Sequence, residues 1–182
     1  MKSDSESSEL KIPPDLCLDS PLWHFAGRYW SRSGAQTAAL ALQTRGWSVT
    51  DILCGLWLAL QGCHFSGTDS VAVTAWRSRV TEPLRQARKA ISKNNPVTDR
   101  ARNCIAQGEL EAEKVELALA YRALNRDNRS SDSLSEHAVK TLALENLQAA
   151  APEKAMDNET GSLLDTLTTE LQIFAEEEQR TW

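Results

Sequence analysis

Residues 50–61 read Thr-Asp-Ile-Leu-Cys-Gly-Leu-Trp-Leu-Ala-Leu-Gln, and this stretch decides the fold class. Thr50-Asp51 opens a helix and Gly62 stops it. Between them Ile52, Leu53, Leu56, Trp57, Leu58 and Leu60 leave almost no polar face, the pattern of a helix covered on several sides. A helix so short and so apolar predicts the centre of a helical bundle. It is far below the ~18–20 residues that a membrane span needs.

On its N-terminal side, Asp19-Ser20-Pro21 reads as a capped helix start. Leu22, Phe25, Ala26 and Tyr29 then fall on one face over residues 22–31. Ser33-Gly34 is expected to break that helix. An alanine-rich helix over 35–43 follows and ends near Gly46, its small side chains allowing close approach by a neighbour.

On the C-terminal side, Thr68 or Ser70 caps a longer helix with a stripe through Val73, Trp76, Val80, Leu84, Ala87 and Ile91. Pro83 inside it removes one intrahelical bond and predicts a kink or a division. A fifth helix spans 98–125, weakened or broken at Gly108. Ser133 and Glu136 form a capping box for 134–149. A polar linker over 152–161 leads to a last amphipathic helix over 162–178. No run of β-branched and aromatic residues alternates for five positions. The expectation is an all-α bundle of five to seven helices with no sheet. Five of the six tryptophans lie between 23 and 76. The chain therefore divides into a disordered tail (1–15), a helical core unit (16–92) and a C-terminal helical part packed on it (93–182).

The 182 residues carry a formal net charge of -5, and 41% are hydrophobic. The polar, acidic start lacks the apolar segment of a signal peptide, so the expected compartment is the cytoplasm. Charge is unevenly placed. Residues 76–102 hold eight Arg or Lys against Glu82 and Asp99, whereas residues 130–182 are strongly acidic. Arg85, Arg88 and Lys89 share one side of the fourth helix, as a solvated face or as a surface for acidic protein or phosphate.

Signals for catalysis or metal are weak. Cys17, Cys54, Cys63 and Cys104 show no C-x-x-C spacing, and His24, His64 and His137 show no ligand spacing. Cys63-His64 adjacency does not make a nucleophile and base, because neighbouring side chains point apart. Glycine-rich phosphate loops are absent from the sequence. Glu109, Glu113 and Glu116 recur at four and three without a Glu-x-x-His partner, and are expected on a solvent face.

Leu22-Trp23-His24-Phe25-Ala26, then Tyr29, Gly34, Ala38-Ala39-Leu40 and Leu42-Gln43, then Gly46, Val49, Leu53 and Trp57-Leu58-Ala59 make an ordered pattern of uncommon residues. A second block runs from Trp76 through Pro83-Leu84-Arg85 to Arg88-Lys89. Together they resemble a family of small, helical, cytoplasmic proteobacterial proteins without an assigned reaction. Ala39, Thr44 and Thr50 stand where that family often has Cys, Asp and Asn. The resemblance implies fold and compartment, and makes Gln43, Trp57, Trp76 and Arg85 candidates for a shared surface.

The leading expectation is a non-enzymatic interaction or accessory protein with no cofactor, metal or catalytic residue. Its expected binding surface is Arg85, Arg88, Lys89, Gln43 and Trp30, facing an acidic protein partner. An RNA- or ribosome-associated role through the Arg/Lys cluster at 77–93 is the second reading. A small-ligand binder or enzyme with a pocket near Trp23, Trp30 and Trp76 is the third. No membrane partner is expected.

Overall fold

The computed structural model describes residues 9–66, 70–127, 136–152 and 157–180. Its helices are α1 (Pro21–Trp30), α2 (Ser33–Thr44), α3 (Val49–Leu60), α4 (Val71–Trp76), α5 (Glu82–Ala90), α6 (Asp99–Asp127), α7 (Glu136–Ala149) and α8 (Asn158–Arg180), with a π-helical turn, Arg77–Thr81, joining α4 to α5. Taking α4, the π turn and α5 as one run gives seven helical units, and no strand occurs among the described residues. The protein is an all-α bundle.

Local chemistry sets the ends. Ser20 Oγ accepts from the Trp23 backbone N–H at 3.2 Å, with Pro21 opening α1. Ser48, rather than Thr50, caps α3 by accepting from Asp51 N–H. Gly46 and Gly62 stop α2 and α3 at φ +89 and +70, which L side chains rarely adopt. Gly34 lies inside α2, and the break falls at Ser31-Arg32. A Cβ at Gly34 would collide with the Glu170 carboxylate of α8, so the glycine serves close approach rather than termination. Asp157 accepts from Thr160 N–H at 2.8 Å and starts α8 earlier than the sequence pattern suggests.

Pro83 acts as expected, by a specific route. It cannot donate to the Arg79 carbonyl. The helix widens just before it, and Glu82 N–H bonds to Arg77 O. Gly108 does not break α6, which runs unbroken for 29 residues. A Cβ there would meet only Leu84 at 3.9 Å, and packing against α5 outweighs the ~1 kcal/mol penalty of a helical glycine.

α3 sits at the centre, with Ile52, Leu53, Cys54, Leu56, Leu58 and Ala59 buried. α7 crosses it at Gly55, where Asn146 fills a polar role inside the core. Its amide donates to Gly55 O (2.9 Å) and Cys63 O (3.0 Å), and its carbonyl accepts from Phe65 N–H at 2.8 Å. α8 lies on the small face of α2 through Leu164, Leu167 and Leu171, and Tyr29 Oη donates to Leu167 O. Of the expected tail, residues 1–8 lie outside the described residues; Ile12 packs on the core and Arg122 pairs with Asp15 at 2.8 Å. Ser133 of the expected capping box is also outside them.

Candidate binding cleft

One face of α1 is built large–small–small–large. Trp23, Ala26, Gly27 and Trp30 fall at i, i+3, i+4 and i+7, a common face, the two tryptophan positions separated by about 10 Å of helix rise. α6 faces this notch, α5 and the π turn close one side, and the α2 end with the start of α3 closes another. The result is a cleft of about 410 Å³, within the size range of small-ligand sites. Trp47, Leu53, Leu110 and Leu117 add apolar wall.

Its charged wall is a network between helices. Arg85 donates to Glu109 (3.0 Å), Glu82 (2.7 Å) and Glu113 (2.8 Å), using all three guanidinium nitrogens. Arg88 grips both oxygens of Glu109. Arg77 binds Glu116 at 2.8 Å and Asp51 at 3.3 Å, and Thr50 Oγ1 donates to Glu116 Oε1 at 2.7 Å. Burial pushes the Glu109 carboxyl up, but hydrogen bonds from Arg88 and Arg85 outweigh it, and its pKa lies below the ordinary value. Glu113, one turn on, goes the other way. Burial and repulsion from Glu109 and Glu116 exceed what Arg85 supplies, and its pKa is raised.

Two polar atoms of the cleft residues have no hydrogen-bond partner: Glu116 Oε2 and Trp47 Nε1, both buried. Buried polar groups are normally paired, so these two stand out.

Four of the five residues expected in a binding surface, Arg85, Arg88, Gln43 and Trp30, line this one cleft, and Lys89 does not. Arg85 and Arg88 are not a bare solvated face, though Lys89 is exposed, and the counterparts of the two arginines are not the C-terminal acids. Glu170 and Glu177 instead hold Arg32, and Glu178 pairs with Arg28. The expected solvent face of Glu109, Glu113 and Glu116 is corrected at two of its members, because Glu109 is 6% and Glu116 2% exposed, whereas the Glu113 side chain keeps 39% exposure. Trp76 stands apart from the cleft and donates its indole N–H to Ala112 O at 2.9 Å. Cys63 is buried while His64 is exposed, so the adjacent pair does not converge. Trp47 and Glu116 were not singled out as binding residues. The signal that could have found the notch is Trp-x-x-Ala-Gly-x-x-Trp in α1.

Residues 21–120 match the model of a family described as Protein of unknown function (DUF2390), more than half of the chain. The chain belongs to the DUF2390 family. All the cleft residues fall within the DUF2390 segment, while α7 and α8 lie beyond it. No curated protein and no solved structure matches the chain. Among the described residues of this DUF2390 protein, no group of three or more His, Cys, Asp or Glu could hold a metal ion. No helix there is long and apolar enough to cross a membrane.

Proposed function

We propose that this DUF2390 protein is a non-enzymatic accessory protein that acts by binding, with the cleft between α1, α5 and α6 as its recognition site. The observation that carries this reading is the notch of Trp23, Ala26, Gly27 and Trp30 set opposite an ion-paired wall. Engagement of Arg85 and Arg88 by carboxylates weighs against nucleic acid and against an acidic protein surface, since either would have to displace Glu109 and Glu113. A proteobacterial, cytoplasmic setting goes with this reading.

Gly27→Leu provides the test. A Cβ at Gly27 meets nothing within 4 Å and Gly27 lines the cleft, so a larger side chain there should occupy cleft volume, with circular dichroism to check that the fold is kept. A fragment screen followed by the indole N–H signals of Trp23, Trp30 and Trp47 should give hits that shift these signals and are lost in Gly27→Leu. Hits scattered over the surface, or unaffected by the substitution, would overturn the proposal.

A further inference from the structure

The charge balance of the cleft is lopsided. Three arginines line it against four glutamates, and one of those arginines also serves Asp51. Each guanidinium nitrogen of Arg85 already donates to a carboxylate. The buried group left without a partner is an acceptor. Glu116, 2% exposed, has one oxygen occupied by Thr50 and Arg77 and the other without a hydrogen-bond partner. Glu113 gives one oxygen to Arg85 and lies beside two further carboxylates, Glu109 and Glu116; burial first, then their repulsion, raises its pKa. The aromatic wall favours cations as well, for Lys114 Nζ already sits 5.2 Å from the centroid of Trp23.

We infer that the cleft takes a cationic group, a guanidinium or primary ammonium, carried on an apolar stem. The head supplies hydrogen-bond donors and positive charge to the Glu113 and Glu116 carboxylates. The stem lies along the Trp23–Ala26–Gly27–Trp30 notch and the leucines opposite. A carbonyl elsewhere on the ligand answers the Trp47 indole N–H. This inference rests on the cleft being a binding site, and its sign of charge is tested separately.

Two cations are titrated into the full-length protein by calorimetry and tryptophan fluorescence: agmatine, and the capped tripeptide Gly-Arg-Gly. Inorganic phosphate and indole serve as anionic and neutral probes. At least one cation should saturate with a Kd below about 1 mM. Glu113→Gln should weaken it about tenfold or more, as expected for loss of a charged hydrogen-bond partner, and Gly27→Leu should abolish it. Circular dichroism confirms that both variants fold. Tighter binding of agmatine identifies a free small cation, and tighter binding of the tripeptide a side chain of a partner protein; either supports the inference. No saturation by either cation, or cation binding indifferent to Glu113→Gln, overturns it. Gly27-dependent binding of phosphate or indole without either cation also overturns it while leaving the binding-site reading in place.

Discussion

The two sides of α3 are built on different principles. On the side of α2, α7 and α8, fully buried leucines meet small alanines, and the inserted polar groups are satisfied, as at Asn146 and Tyr29. On the side of α1, α5 and α6, the interior carries arginines, glutamates and tryptophans around an open volume, and two buried polar atoms have no hydrogen-bond partner. Buried charge is a poor way to gain stability, because desolvation consumes most of the Coulombic attraction. The difference teaches that the packed side carries stability, whereas the charged side, the proposed recognition site, is not built to maximise it.

Leu56→Ala strikes the packed side hardest. Leu56 is fully buried at the centre of the bundle, and its truncation should cost ~2–5 kcal/mol by chemical denaturation through lost transfer energy and a residual cavity. A loss below ~1 kcal/mol would mean that the two sides share the load. Asn146→Leu comes next. It removes the hydrogen bonds that Asn146 makes with Phe65 N–H, Gly55 O and Cys63 O, and should lower stability by about 3 kcal/mol. The same denaturation assay checks it.

The smallest effect lies within the charged side, where neighbouring turns of α6 should respond with opposite sign. Glu109 has a folded pKa below its ordinary value, so its stabilisation is present above that value of 4.5 and is lost as pH falls through the depressed pKa. Glu109→Gln should therefore lower the melting temperature at pH 7, and the difference from the parent should shrink in acid. Glu113 has a raised folded pKa; its ionised form is disfavoured by folding, and the penalty disappears as pH falls through that pKa. Glu113→Gln should leave the pH 7 melting temperature unchanged or slightly higher. Equal losses for both variants would show that the network acts as one structural unit.

The packed side was legible in sequence and the charged side was only half so. Ile52–Leu60 announces a central helix because an apolar residue at nearly every position has one solution. Pro83 announces a helix defect because the missing N–H is a local fact. The pairing of Arg85 and Arg88 with Glu109 and Glu113 depends on how α5 is rotated against α6, which no spacing within one helix encodes. Residue type therefore picked out Arg85, Arg88 and Trp30, and the family resemblance Gln43, while their shared cleft emerged only from the packing. Ser33-Gly34 and the start of α8 were misplaced for a similar reason. Gly34 answers to Glu170, far away in sequence, and Asp157 is held by Arg45 as well as by its own helix.

The π turn between α4 and α5 has a consequence for the angular phase of everything after it. A π turn holds one more residue than an α turn, so the following helix is rotated by about 100° relative to an uninterrupted one. Arg77 and Arg85, eight apart in sequence, then fall as if seven apart, on nearly the same azimuth. Both accordingly reach α6, Arg77 at Glu116 and Arg85 at Glu109 and Glu113. One inserted residue ahead of Pro83 works as an indexing step that brings two guanidiniums onto a single line of carboxylates.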